Sequence, residues 1–225
     1  MKNIYAKTFA NLFALIVVMA LALFAPAGTV RYWQAWVYLA IYIVATVLIT
    51  LYLIRRDPAL LERRNAGGPM REKQAKQKVF NLFASIGFVA LMIVPALDRR
   101  FGWSSVAAPI VIAGDVLTAA GLWLIFLVLR ANTFASATIE LAESQEVIST
   151  GPYALVRHPM YASGLLFLIG TPLALGSYWG LVAVAFTTLF LVLRLLDEEK
   201  FLASNLPGYV EYQRKVHHHL VPYMW

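Results

Sequence analysis

Two short polar clusters interrupt this apolar chain, and both hold residue types that bind or orient charged groups. The first is Gly151-Pro152-Tyr153 followed by Arg157-His158-Pro159-Met160-Tyr161 and Gly164. Proline is favoured at the first helical position, so a helix should open near Pro159 with its free N–H groups facing the preceding loop. A helix N-terminus beside an arginine suits a carboxylate or a phosphate. Tyr161 and Gly164 lie three and six residues beyond His158, roughly on one face, and the glycine would permit close approach of a flat group. The second cluster is Arg194, Glu198 and Glu199, in which Arg194 and Glu198 have the i, i+4 spacing that lets them face the same way. Upstream, Glu140, Glu143 and Glu146 precede a Val147-Ile148 pair suited to a short extended segment and a Thr-Gly-Pro turn that carries Tyr153. Each cluster also has a plainer reading. Arg157 and His158 could snorkel to lipid headgroups, Gly164 could serve helix packing, Arg194 and Glu198 could be an ion pair at a helix end, and 140–153 an ordinary solvated loop. His217-His218-His219 is not expected to hold a metal, because adjacent histidines project in different directions whereas a helical zinc pair needs i, i+4 spacing.

The elements that must position these residues are membrane helices. The chain has 225 residues, 60% of them hydrophobic and 14% charged, against about a quarter charged in soluble domains, which makes this an integral membrane protein. With no cysteine, disulfides, thiolate catalysis and cysteine-based metal sites are excluded. The net charge of +7 does not call for nucleic acid, since much of it sits in one inter-helix loop, as membrane topology alone produces. Neither a dinucleotide-binding fingerprint nor a phosphate-binding P-loop is present.

A hydrocarbon core of about 30 Å takes roughly 20 apolar residues as helix. Residues 8–25, 33–54, 79–97 and 106–129 fit. The first, flanked by Lys2 and Lys7, also resembles a secretory signal, but the spans that follow favour a retained helix. The last apolar region, 161–196, is too long for one span and breaks at Gly176-Ser-Tyr-Trp-Gly180, so it is expected to form a helical hairpin over 159–196, with Pro172 kinking its first arm. The expected fold is therefore all-α: a polytopic bundle of five to six transmembrane helices, with residues 1–130 as an N-terminal part and 131–225 carrying the site. Residues 55–78 hold eight basic and three acidic side chains, whereas the loops at 28–32 and 98–105 hold one and two basic residues. The positive-inside rule then puts the N-terminus, the basic loop, segment 131–160 and the C-terminal tail in the cytoplasm. A hairpin over 159–196 returns Arg194 and Glu198 to the membrane face where His158 and Tyr161 lie. The spans hold few polar residues, which argues against a channel or transporter. The tail 207–215 reads as a turn and a short amphipathic helix.

Gly151-Pro-Tyr153, Arg157-His-Pro-Met-Tyr161-x-x-Gly164, Glu198-Glu199 and Tyr209-x-x-Tyr212 closing on Pro222 together resemble the isoprenylcysteine carboxyl methyltransferases, whose wider group includes phospholipid N-methyltransferases. The resemblance covers residues 132–225. It implies a helical membrane methyltransferase that uses S-adenosyl-L-methionine without a Rossmann unit, in a cytosolic-side pocket reached by a lipophilic acceptor from the bilayer. By position, it implies that Gln145, Glu146, Val147 and Ile148, with Tyr153, Arg157, His158, Pro159, Met160, Tyr161, Glu198 and Glu199, line the cofactor site, and Thr138 more weakly. Arg194 matches the family's arginine near the acceptor carboxylate, and Arg194 and Glu198 are the expected catalytic pair. No metal and no nucleic acid are implied; membrane lipids are the expected surroundings. A carboxylate acceptor needs only orienting, which an arginine fork can do; an amine acceptor would need a proton acceptor such as Glu199 or His158. The chain has fewer spans than the eukaryotic members. The basic loop 55–78, with its Gly-rich centre, lies outside the match and could act as a lid or contact anionic headgroups, the second being favoured. The competing reading is a nicotinamide-dependent membrane reductase of the sterol-reductase kind, in which Arg157 and the basic loop would serve phosphates.

Overall fold

The computed structural model describes residues 2–66, 75–135 and 145–222. Among these all the regular structure is helical, and no strand is present. The elements are α1 (Lys2–Ala27), α2 (Trp33–Arg56), α3 (Pro58–Ala66), α4 (Ala75–Phe101), α5 (Ala108–Ala131), a short 3-10 turn (Gly151–Ala154), α6 (Pro159–Ala174), α7 (Gly180–Asn205) and α8 (Tyr209–Lys215). Five of them, α1, α2, α4, α5 and α7, are long and apolar enough to cross a bilayer, while α6 is shorter. Large apolar side chains such as Phe13, Leu48, Val116 and Val182 point outward; such a girdle suits lipid and would be costly in water.

The helices run past the apolar runs at their ends. α4 begins before the run at 79–97 and ends after it, taking in Lys76, Lys78, Asp98, Arg99 and Arg100, because charged flanks at a bilayer surface have no reason to leave the helix. α3 is a helix where a loop was expected. Its start is nonetheless written in the sequence: Pro58 occupies the first helical position and Asp57 Oδ1 accepts from the Leu60 N–H at 2.9 Å.

The closest pair is α5 with α6. A Cβ on Gly121 would lie 2.6 Å from the Phe167 nitrogen, and one on Gly170 2.6 Å from the Thr118 nitrogen. Small residues are what allow two backbones to approach this closely where lipid offers no hydrophobic drive between helices. α4 and α7 pack through Gly87 against Thr187 and through the stacked rings of Phe83 and Phe190, 4.6 Å apart.

The hairpin forms as expected. Gly176, at φ +72°, supplies the left-handed residue of its turn. Pro172 lies in the last turn of α6 instead of kinking its middle, so its missing donor falls where the helix is already ending. The turn is tied to the neighbouring helix ends: Tyr32 OH donates to the Leu175 carbonyl at 2.6 Å, and Ser177 Oγ to Asp98 Oδ2 at 2.5 Å. At 16 residues α6 is about 24 Å long, yet these bonds fix its C-terminal end to one end of the bundle while its N-terminal end meets the other. Arg55, Arg56, Lys76, Lys78, Arg130 and Arg157 all lie toward that second, basic end.

Candidate functional site

At the basic end, α6 starts where α7 finishes, so the hairpin alone brings the two polar clusters together. Tyr161 OH donates to Glu198 Oε2 at 2.7 Å and accepts from Arg194 Nε at 3.1 Å. Arg194 Nη1 donates to Gln77 Oε1 at 3.1 Å, and Gln77 Nε2 donates to Asp197. Gln77 is wholly buried. Residues of α4, α6 and α7 thus form one hydrogen-bonded chain in which Arg194 and Glu198 meet through the Tyr161 hydroxyl.

A second network lies beside it. Arg157 is buried and reaches Glu199 with two nitrogens, Nε to Oε1 at 2.5 Å and Nη2 to Oε2 at 3.2 Å. Its Nη1 donates to the carbonyls of Val216 and His217, and its Nη2 lies 2.6 Å from His219 Nε2. His158 Nε2 lies 3.1 Å from Glu199 Oε1. The backbone N–H groups of Arg157 and His158 donate to the carbonyls of His218 and His219. This network straps the C-terminal tail across the start of α6. Burial lowers the pKa of His219, with Glu199 opposing and Arg157 reinforcing the shift. His219 Nε2 also lies 3.0 Å from Glu199 Oε2, so the ring sits between the guanidinium and the carboxylate.

Between the chain and the strap lies a cavity of about 380 Å³, within the range of small-molecule sites. Gln145, Glu146, Val147 and Ile148 form one edge, in irregular backbone and not an extended strand. Tyr153, Arg157, His158, Pro159, Met160 and Tyr161 form the α6 side, and Arg194 and Glu198 the α7 side. Tyr153 is held from two directions: Asn132 Nδ2 donates to its hydroxyl at 2.8 Å, and Tyr212 OH donates to its carbonyl at 2.7 Å. Burial pushes the Tyr153 phenol up to about 12, against the Asn132 bond and with help from the charge of Glu198, so it stays neutral.

One expected cofactor residue stands elsewhere. Glu199 does not line the cavity, because its carboxylate is turned into the strap. Thr138, like Glu140 and Glu143, lies outside the described residues. Gly164 is not on the cavity wall either, and a Cβ there would meet nothing within 4 Å.

Other residues join the site that the motifs did not single out: Gln77 behind Arg194, and several on the cavity wall. Gln77 and Asn81 are polar at i, i+4 spacing at the entrance of an apolar helix, a signal that could have been read. Asn81, Asn132 and Arg64 line the cavity, and so do Tyr209 and Tyr212 of α8, which belong to the motifs but were not expected at the cofactor site. The Tyr209 hydroxyl is buried with no hydrogen-bond partner among the described residues. A buried donor left open on a cavity wall is what a bound polar group would satisfy. Among the described residues no cluster of His, Asp and Glu is arranged to hold a metal ion.

Residues 109–207 match the family model described as phospholipid methyltransferase. That stretch runs from the first turn of α5 to the turn before α8, so it includes Tyr153, Arg157, Tyr161, Arg194 and Glu198. The matched stretch is under half of the chain and holds most of the residues that carry the resemblance drawn from the motifs. The match begins one helix earlier than the motifs do, in keeping with the close packing of α5 on α6. Over 75 residues the chain is 32% identical to the cobalt-zinc-cadmium resistance protein CzcN of Cupriavidus metallidurans, a segment that is 32% of this chain and 34% of that protein. The match therefore spans about a third of that relative's length.

Proposed function

We propose that this protein is an integral-membrane methyltransferase that uses S-adenosyl-L-methionine to methylate the carboxylate of a lipophilic acceptor, with its site on the cytoplasmic side. The observation that carries the reading is the Tyr161–Arg194–Glu198 chain on the wall of a cavity enclosed by aromatic residues at the bilayer surface. When bound, the cofactor supplies a methyl group on a cationic sulfur, open to in-line displacement. The residues present fit it. The faces of Tyr153 and Tyr161 can hold a cation, and the open hydroxyl of Tyr209 and the carboxylate of Glu198 can take polar groups of its amino-acid or ribose parts.

The chain's own residues then orient and exclude water; they need not remove a proton. A carboxylate is ionised at pH 7, and Arg194, itself held by Gln77, provides positive charge beside Tyr161 to align it. The tail excludes water through Leu206, Tyr209 and Tyr212. An amine acceptor is disfavoured because both bases suggested for it, Glu199 and His158, are engaged with each other, and Glu199 also with Arg157. The reductase reading loses support for a related reason: the guanidinium that would serve a phosphate is committed to Glu199 and the tail carbonyls.

The test is to incubate the reconstituted protein with methyl-labelled cofactor and a lipid extract. Carboxylate methylation gives a labelled lipid whose label mild base releases as methanol. A base-stable label would sink the carboxylate assignment, and no labelled lipid with any extract would sink the activity.

A further inference from the structure

Among the described residues three arginines line the cavity: Arg64, Arg157 and Arg194. Two of them are engaged within the protein. Arg157 is held by Glu199, by the carbonyls of Val216 and His217 and by His219, and Arg194 by Tyr161 and Gln77. Arg64 makes one long hydrogen bond, Nη1 to the Ala135 carbonyl at 3.4 Å, and no carboxylate among the described residues pairs with it. Its helix is nonetheless firmly docked. Leu60 and Leu61 are buried, Asn65 Nδ2 donates to Thr8 Oγ1 at 2.6 Å, and Arg63 donates to the Thr133 carbonyl. A half-buried guanidinium on a fixed helix, set on a cavity wall without an anion, is a fork that a carboxylate fits.

The packing around Arg64 decides from which side that carboxylate comes. Leu53, Leu60, Leu61 and Leu129 are buried in one cluster that joins the ends of α2 and α5 to α3, and this cluster separates Arg64 from the lipid. A ligand that meets Arg64 therefore enters through water. Arg194 stands across the cavity, between α4 and α7, and is the residue left to align an acceptor from the bilayer. Arg64 is tied instead to the segment that follows α5, which also carries Asn132, the donor to the Tyr153 hydroxyl. Tyr153 is one of the two aromatic faces suited to a cationic sulfur. S-adenosyl-L-methionine is water-soluble and joins its sulfonium to a carboxylate by a short unbranched stem.

We infer that Arg64 holds the carboxylate of S-adenosyl-L-methionine, and so makes the site select ligands that keep the amino-acid part intact. The identity of the ligand rests on the methyltransferase reading. Arg64 stands on α3, outside the stretch 109–207 that matches the family model, so this contact is a contribution of the N-terminal part of the chain.

Calorimetry on the full chain in nanodiscs compares S-adenosylhomocysteine with its decarboxylated analogue, which keeps the adenosine, the sulfur and the amine. The unaltered protein should bind S-adenosylhomocysteine about tenfold to a hundredfold more tightly, as a charge-assisted bond implies. Arg64→Gln should bring the two ligands within about threefold of each other and leave the affinity of the analogue where it was. Arg63→Gln removes the same charge from the same helix but off the cavity wall, and should keep the preference. Equal affinities in the unaltered protein would overturn the inference, as would a preference that survives Arg64→Gln or that Arg63→Gln abolishes equally. If Arg64→Gln binds neither ligand, Arg64→Lys decides, because it keeps the charge and loses the fork. A preference cut by about threefold or more then supports the inference, and an undiminished one overturns it. Failure of the unaltered protein to bind S-adenosylhomocysteine would sink the methyltransferase reading and the inference with it. Binding with a preference indifferent to Arg64 would overturn the inference alone.

Discussion

Replacing Arg157 by methionine should release the C-terminal tail. The change keeps an unbranched apolar stem but removes the guanidinium that contacts Glu199 twice, the carbonyls of Val216 and His217, and His219. The Glu199 side chain is 11% exposed and that of Arg157 7%, so solvent screening does little for either. Removing one partner of a buried ion pair costs about 3–5 kcal/mol, chiefly because the other charge stays buried. Glu199 would keep His158 at 3.1 Å, which argues for the lower end, about 3 kcal/mol. At 1.4 kcal/mol per tenfold, that is about two orders of magnitude in the equilibrium between docked and released tail. Arg214 and Lys215 are exposed on α8, and trypsin cuts there at a rate that follows the released population when re-docking is fast. Cleavage of Arg157→Met in nanodiscs should therefore rise about a hundredfold. The double variant Arg157→Met with Glu199→Leu should recover a large part of that loss, since replacing both members of a buried pair by apolar groups is often nearly neutral. A rate for Arg157→Met within about threefold of the unaltered protein, far below the tenfold that 1.4 kcal/mol gives, would show that the strap does not hold the tail.

Three further outcomes are expected. Gly121→Ala places a Cβ 2.6 Å from the Phe167 nitrogen and should destabilise the bundle by about 1–3 kcal/mol, seen as a lower Tm in detergent. Gly164→Ala meets nothing within 4 Å and should leave Tm unchanged or raise it, because alanine is the better helix former by up to about 1 kcal/mol. Tail docking should weaken with acid: His219 has its native pKa lowered from 6.5, so the released tail binds more protons than the docked one. Docking is then intact above about pH 6.5 and declines as pH falls through the native value, which tryptic protection at several pH values measures and His219→Gln should flatten.

The helices were legible because apolar runs of bilayer length mark them, and the hairpin because Gly176 to Gly180 interrupts a run too long for one span. The meeting of Tyr161 with Arg194 and Glu198 followed from that hairpin alone. The partition of the two glutamates did not: Glu198 and Glu199 are adjacent and chemically alike, and only the path of the tail decides that Glu199 pairs with Arg157 while Glu198 faces the cavity. The tail's backbone bonds to residues 157 and 158 carry no sequence signature, since any residue has a carbonyl to offer. Gln77 was obscured by the basic residues around it, and Arg64 by the reading of 55–78 as a loop facing lipid headgroups, although Asp57-Pro58 announces the helix that carries Arg64.

The most direct test of the central claim is calorimetry on the nanodisc-embedded protein with S-adenosylhomocysteine and, separately, NADPH. Binding of S-adenosylhomocysteine at one site per chain is predicted, with no heat from NADPH and with affinity lost in Glu198→Ala while the variant stays folded. Binding of NADPH alone would contradict the account.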